Sequence, residues 1–192
     1  MAAIAGVAVA ADPAAPPSVA ALTRWASFGG DAAGQPFAVV DKLQARIFVF
    51  DTDGRLAGSA PVLLGQARGD GSAPGVGTRV LAGIPARERT TPAGRFPSQP
   101  GHNHLGEAIV WVDYDAAIAI HRLRPTSARA QRALRLASGS ADDKRVSLGC
   151  IVVGEAFYDG VVAPLLGRQR GVVYVLPELR DWTEVFADAA GL

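Results

Sequence analysis

The sequence reads VDKLQARIFVFDTDGRL over residues 40–56, and this stretch decides the fold class. Residues 46–51 form a run of β-branched and aromatic side chains, which Thr52, Asp53 and Gly54 bring to an end. Asp-Gly next to an apolar run is the strongest short hairpin signal. Because a second apolar run lies at residues 37–40, we predict two antiparallel strands at the start of a β domain.

The rest of the chain continues the strand pattern with few interruptions. Further strands are predicted at residues 61–64, 90–96, 107–114, 116–121, 146–153 and 171–176, and helices at 126–137 and 155–166. Residues 66–80 form a Gly-rich loop without periodicity, and loops of that length usually lie near a functional site. The predicted fold is therefore mainly β, with one or two short helices.

Composition limits the domain count and the classes of partner. A chain of 192 residues with 49% hydrophobic content can bury one sizeable core. Nineteen basic against 18 acidic side chains give a net charge of +1, so neither nucleic acid nor an anionic membrane is expected as a partner. No apolar run approaches the roughly 20 residues of a membrane span. A monomer is the default expectation.

The first 36 residues have a composition of their own. An apolar start is followed by the small residues Ala8 and Ala10, the pattern of an export-signal cleavage site, and then by an Ala/Pro-rich stretch typical of a linker. No Lys or Arg precedes the apolar start, so a disordered tail is the alternative. We predict a signal-like start and linker over 1–36, a catalytic domain over 37–192, and a location in the periplasm or cell envelope.

Cys150 is the only cysteine, so no disulfide can form within the chain. A lone thiol in an exported protein is exposed to oxidation, which favours a functional reason for keeping it. Gly149 precedes it and leaves space for an approaching carbonyl group, beside backbone N–H groups that could stabilise an oxyanion. We therefore predict that Cys150 is the nucleophile of an acyl transfer.

A thiol with a free pKa of about 8.5 needs a base or a cationic neighbour near neutral pH. The candidates are His102, His104 and His121. His121 ends a predicted strand and would face Cys150 if the two strands are neighbours, so we predict it as the base. Taken alone, a histidine at a strand end is more often a half-buried structural residue.

Three segments in this order resemble the YkuD-type L,D-transpeptidases over roughly residues 37–176. The opening strands are similar to the first hairpin of that family, and ERTTPAGRF at residues 88–96 is similar to its Thr-Pro-x-Gly-x-Phe segment. The third similarity is the pair of IHR at residues 120–122 and SLGCIVV at 147–153. The resemblance implies a YkuD-like β-sandwich.

The resemblance also implies a reaction and its residues. Cys150 would attack the carbonyl of a peptidoglycan stem tetrapeptide, and His121 would take and return the proton. Gly149 and Cys150 would supply oxyanion N–H groups, and Ser147 would shape the nucleophile strand. A diaminopimelate amine as acceptor gives a 3→3 cross-link, a D-amino acid gives exchange, and water gives L,D-carboxypeptidase activity. The family implies no cofactor.

The chain departs from the family pattern near the nucleophile. Leu148 stands where a histidine is common, Val152 where an Asn or Arg is expected to hold substrate, and Arg122 where a small residue is common. Leu148 and Val152 favour, as an alternative, a peptidoglycan-binding protein of the same fold with weakened catalysis. A cysteine peptidase or amidase of unrelated fold is the other alternative, which the Thr-Pro-x-Gly-x-Phe segment argues against.

An insertion between the predicted base and nucleophile is strongly basic. Residues 122–146 hold two acidic side chains, Asp142 and Asp143, and seven basic ones: Arg122, Arg124, Arg129, Arg132, Arg135, Lys144 and Arg145. The insertion is either a solvated helix face or a lid whose guanidinium groups pair with stem-peptide carboxylates. Arg145 is the preferred member because it lies close to Cys150 in the sequence.

The predicted substrate-binding residues are Arg145, Arg122, His104 and Val152. His102 and His104 have a spacing that suggests a metal, but only the distant Glu107 could extend the ligand set. We therefore predict no metal, and a place for His104 at the rim of the pocket.

Overall fold

A computed structural model describes residues 15–124 and 128–190 of the chain. The strands are β1 (Phe37–Asp41), β2 (Arg46–Phe50), β3 (Leu56–Pro61), β4 (Leu64–Gly65), β5 (Gly94–His102), β6 (Ala108–Asp113), β7 (Ile118–Arg122), β8 (Arg145–Ser147), β9 (Ile151–Val153) and β10 (Gly171–Val175). The helices are α1 (Pro17–Phe28), α2 (Arg129–Ala137), α3 (Glu155–Phe157), α4 (Ala163–Leu165), α5 (Trp182–Val185) and α6 (Ala187–Ala190), with a π-helical turn at Tyr158–Val162 between α3 and α4.

Eight of these strands form one mixed sheet in the order β3-β2-β1-β10-β5-β6-β7-β9. The β1–β10 and β7–β9 pairs are parallel, and the other neighbours are antiparallel. β4 and β8 form a small parallel sheet, which a bridge between Leu63 and Val152 connects to β9. The mainly β fold predicted from the sequence is therefore confirmed.

The opening hairpin forms where the sequence predicted it. Asp41 accepts a hydrogen bond from the Gln44 N–H (3.0 Å) in the turn between β1 and β2. At the end of β2, Asp51 Oδ1 accepts from the N–H groups of Asp53 and Arg55, both at 2.9 Å, and Gly54 has a φ of 75°. Only glycine adopts such a φ without strain, so Asp-Gly directs the chain into β3.

The β2-β1-β10 part of the large sheet is buried on both faces. β1 alternates its side chains between two cores: Ala38 and Val40 pack with the 155–166 segment, whereas Phe37 and Val39 pack under α1 and the C-terminal helices. This explains why the central strands read as nearly continuous apolar runs rather than as an alternating pattern.

Helix α1 corrects the predicted linker. Val19, Leu22 and Ala26 are buried against the sheet, so the packed part of the chain begins well before residue 37. Pro17 stands at the first helical position, where its missing N–H has no intrahelical partner to lose. The signal-like start at residues 1–14 lies outside the described residues. No described helix has the length and apolar character to cross a bilayer.

Candidate active site

A cavity of about 620 Å³ opens beside the β6–β7 hairpin and contains both predicted reactive side chains, Cys150 and His121. The loop before β9 forms one wall, and helix α2 forms another. The Gly-rich loop contributes Val76 and Gly77 to the cavity lining, so it lies beside the cavity, as its length and composition predicted. The remaining lining is largely apolar, with Trp111 and Ile109 from β6.

Two neighbouring strands bring His121 and Cys150 to the same cavity. β7 and β9 are parallel neighbours, with Ile120 opposite Ile151 and His121 opposite Val152. Cys150 immediately precedes β9, so it lies at the level of Ala119, which also lines the cavity. The condition on which the prediction of His121 depended, adjacency of the two strands, is therefore met.

The His121 ring is held in one tautomer. Its Nδ1 lies 2.9 Å from the carbonyl oxygen of Arg122. A carbonyl only accepts hydrogen bonds, so Nδ1 carries the proton and Nε2 of the neutral ring has a free lone pair. Burial lowers the pKa of His121 to about 4, an effect that the nearby charges of Arg124 and Arg132 reinforce. The imidazole is consequently neutral at physiological pH and able to accept a proton.

The Cys150 thiol is protonated at rest. Burial raises its pKa, whereas a backbone hydrogen bond with Ala119 and the charges of Arg124 and Arg132 act in the opposite direction. Its Sγ lies 3.6 Å from the carbonyl oxygen of Ala117. The site therefore holds a neutral thiol and a neutral imidazole rather than a thiolate–imidazolium pair, so a nucleophilic attack by Cys150 would require loss of the thiol proton.

Ser147 fixes the turn that presents Cys150. Its Oγ donates to the Cys150 carbonyl (2.7 Å) and accepts from the Gly149 N–H (3.1 Å). The Gly149 N–H is thus occupied within the turn, contrary to its predicted role as an oxyanion donor. Gly149 has a φ of +133°, and a Cβ there would lie 2.6 Å from Ile118 Cδ1 and 2.7 Å from the Thr90 carbonyl oxygen.

The Thr-Pro-x-Gly-x-Phe segment is hydrogen-bonded to the same turn. Thr91 Oγ1 donates to the Gly149 carbonyl (2.8 Å) and accepts from the Gly65 N–H (3.0 Å). Lys42, which is fully buried, donates to the Thr91 carbonyl at 3.0 Å. A chain of hydrogen bonds therefore runs from the first hairpin to the residue before the nucleophile. The sequence motif identified this segment, but not its contact with Gly149.

The structure places Arg145 away from the cavity, contrary to its predicted contact with substrate. Its guanidinium donates to Glu178 at 2.5 Å and to the Lys42 carbonyl at 2.8 Å, and its side chain is 7% exposed. Asp70 belongs to the same buried network and bonds to Lys42 at 2.8 Å. Arg145 therefore stabilises the fold.

Two further predicted substrate contacts also lie elsewhere. Arg122 forms an ion pair with Asp159 (2.8 Å) and lies over the Tyr158 ring, 4.7 Å from its centroid. Val152 is fully buried against Leu63. Both side chains are absent from the cavity lining, whereas His104 lines it as predicted.

The basic insertion does reach the site, through residues that the sequence did not single out. Arg124, at the end of β7, and Arg132 and Arg135 of α2 line the cavity, and so does Leu148. The helical spacing of Arg132 and Arg135, three residues apart, was the available signal because such residues share one helix face. Within the described parts of the chain, no group of three His, Cys, Asp or Glu residues could hold a metal ion.

Comparison with solved structures finds proteins of similar fold. Neither a family model nor a curated protein matches the sequence. The helical cell shape determining protein Pgp2 from Campylobacter jejuni has a TM-score of 0.52 at 17% identity, covering 77% of this chain and 49% of that one. This similarity shows a shared fold, and the chain spans about half the length of Pgp2.

Two further solved structures have lower TM-scores. An L,D-transpeptidase from Mycobacterium smegmatis gives 0.43 at 16% identity, covering 73% of this chain and 58% of that one. The catalytic domain of an E. faecium L,D-transpeptidase gives 0.39 at 18% identity, covering 74% of this chain and 98% of that domain.

Proposed function

We propose that this protein is a cysteine acyltransferase of the L,D-transpeptidase type that acts on stem tetrapeptides of peptidoglycan. The observation that carries the proposal is the shared cavity of Cys150 and His121, with Nδ1 of His121 fixed and Nε2 available as base. The three sequence segments that resemble the YkuD-type family agree with it, and the cell shape determining protein Pgp2 shares the fold.

Acylation begins from the neutral pair. As Sγ of Cys150 attacks the carbonyl carbon between the third and fourth residues, its proton passes to Nε2 of His121. The carbonyl oxygen becomes an oxyanion, for which the Cys150 N–H is the nearest candidate donor. Collapse of this intermediate breaks the C–N bond, and the departing D-alanine amine takes the proton from His121. A thioester on Cys150 results.

Deacylation repeats the proton transfers in reverse order. An acceptor amine loses its proton to His121 as its nitrogen attacks the thioester carbonyl. When the C–S bond breaks, the sulfur regains this proton and the resting thiol is restored. A diaminopimelate amine gives a 3→3 cross-link, and a free D-amino acid gives exchange of the terminal residue. The substrate lies in the cell envelope, so the proposal includes export, which the signal-like start supports.

The test is the product profile of the purified protein incubated with disaccharide tetrapeptides, measured by mass spectrometry beside Cys150→Ala. Cross-linked dimers that have lost D-alanine, absent with the variant, are the expected result. Tripeptide without dimers would identify an L,D-carboxypeptidase. Unchanged substrate with both proteins would refute the catalytic proposal in favour of the binding-protein alternative.

A further inference from the structure

The charges that line the cavity are all of one sign. Arg124, Arg132 and Arg135 contribute guanidinium groups, and no Asp or Glu is among the described residues of the lining. Arg135 donates to the Asp143 carbonyl at 3.2 Å, so part of its donor capacity is used within the insertion. A cavity with such walls attracts an anionic group.

Arg132 has no counter-ion among the described residues. Among residues 15–124 and 128–190, none places a carboxylate oxygen within 4.0 Å of its guanidinium. The side chain is half-buried, and both burial and the charge of Arg124 lower its pKa. Two like charges at the wall of one partly desolvated cavity are unfavourable until an anion joins them.

Arg124 is only partly neutralised. Its Nε lies 3.0 Å from Glu107 Oε2, but the N–H does not point towards that oxygen well enough for a hydrogen bond. Asn103 donates to the same Glu107 oxygen at 2.6 Å. Glu107 therefore orients Arg124 at the cavity wall, and the remaining guanidinium N–H groups can bind a ligand.

Helix α2 holds Arg132 in a fixed position relative to the sheet. Arg129, on the same helix, forms an ion pair with Glu155 at 2.6 Å. Leu136 packs against the buried cluster of Leu63, Leu123 and Val152, directly behind β9. The helix is therefore anchored at both ends, and Arg132 between these anchors faces the cavity that contains Cys150.

We propose that Arg132, together with Arg124, binds the free α-carboxylate of the residue that leaves when Cys150 is acylated. This inference rests on the proposed function and makes Arg132 a specificity-determining residue of that reaction. Planar guanidinium groups suit a carboxylate because they donate paired hydrogen bonds with the geometry of its two oxygens.

The position of the site relative to Cys150 favours this carboxylate. The carbonyl under attack must lie at Sγ, and the α-carboxylate of the next residue lies only one residue further, about 3.8 Å along the chain. Both arginines are close enough to Cys150 for their charges to influence the thiol. A peptide that ends in a carboxylate one residue after the scissile bond is then preferred over an amidated or longer peptide.

The experiment separates binding from turnover. In a Cys150→Ala background, calorimetry measures the affinity for a disaccharide tetrapeptide with a free C-terminus, for its C-terminal amide, and for the peptide amidated only at the diaminopimelate side chain. We expect the free acid to bind about 10- to 100-fold more tightly than the C-terminal amide. In Arg132→Gln this ratio should fall to nearly 1, with little change in affinity for the amide.

Two variants control for effects on folding. Arg55→Gln removes an exposed positive charge that does not line the cavity and should keep the full acid-to-amide ratio. Arg132→Lys retains the charge without the paired donors, and an intermediate ratio is expected. Thermal melting of each variant shows whether the fold is retained. The acid-to-amide ratio of the Cys150→Ala protein tests the inference without any substitution at the arginines.

Equal binding of the free acid and the C-terminal amide would overturn the inference, and so would an unchanged ratio in Arg132→Gln. A binding affinity that changes only on amidation of the diaminopimelate side chain would also overturn it. The arginines would then bind a carboxylate of the acyl donor rather than that of the leaving residue. The proposed function fails separately, if the protein with Cys150 intact forms no product while the acid-selective binding persists.

Discussion

Replacing Gly149 by alanine tests whether the nucleophile turn requires a backbone that only glycine adopts easily. At a φ of +133°, a residue with a Cβ is strained by about 1–3 kcal/mol. The added Cβ would also lie 2.7 Å from the Thr90 carbonyl oxygen, a backbone atom that cannot rotate away. Overpacking of this kind contributes a further 1–3 kcal/mol. We therefore expect Gly149→Ala to lower the free energy of unfolding by about 4 kcal/mol.

Urea denaturation and thermal melting measure this loss directly. For a chain of this size, about 4 kcal/mol corresponds to a fall in Tm on the order of 10 °C. Gly139→Ala is the matched control, because a Cβ at position 139 meets no atom within 4 Å. It should change the free energy of unfolding by no more than about 0.5 kcal/mol. If Gly149→Ala and Gly139→Ala melt together, the strained turn does not exist as described.

Three further predictions concern the ionisable groups. Burial lowers the pKa of His121 to about 4, so between pH 6.5 and 4 this histidine is protonated in the unfolded chain but not in the folded one. The free energy of unfolding should therefore fall by up to about 3 kcal/mol as the pH is lowered over this interval. The measurement is the difference in free energy of unfolding between wild type and His121→Gln. Because burial raises the pKa of Cys150, its alkylation rate by iodoacetamide should still increase above pH 9. Lys42→Met removes a fully buried cation that is paired with Asp70 and lies 3.5 Å from Glu178, so we expect a loss of about 3–5 kcal/mol in urea denaturation.

A different experimental result would contradict each of these three predictions. A difference between wild type and His121→Gln that stays constant from pH 7 to 4 would show that the histidine is solvated. An alkylation rate that reaches a plateau below pH 8.5 would indicate a resting thiolate. For Lys42, the comparison is Arg55→Met, which removes an exposed partner of Asp53 and should cost less than about 1 kcal/mol. Equal losses from both substitutions would contradict the buried network.

Local patterns in the sequence were sufficient for the opening strands and for the choice of His121 and Cys150, which the structure places in one cavity. The Asp-Gly turn and the flanking apolar runs predicted β1 and β2 within a residue or so of their observed bounds. His121 and Cys150 were identified by residue type and by the segments around them. Helix α1 was not, because its many alanines and its Pro16-Pro17 start resemble a linker unless the proline is taken as a helix-initiating residue.

The surroundings of the reactive pair could not be predicted because they depend on side-chain partners that are distant in the sequence. Arg145 was preferred for its closeness to Cys150 along the chain, yet its partner Glu178 lies 33 residues away and draws it into the core. Arg132 lies further from Cys150 in sequence, and the orientation of helix α2 brings it to the cavity. Such pairings are determined by tertiary packing, which sequence spacing does not encode.

The central position of β10 also affects how the chain can fold. This strand is synthesised after the other described strands, yet it lies between β1 and β5. In the large sheet it joins the group β3-β2-β1 to the group β5-β6-β7-β9, which do not pair with each other. A ribosome-bound chain that has not released residues 171–175 can form the two groups separately, but it cannot close the sheet. Closure of the sheet therefore has to wait for β10, and a chain cut before residue 171 would expose two unpaired edges to aggregation.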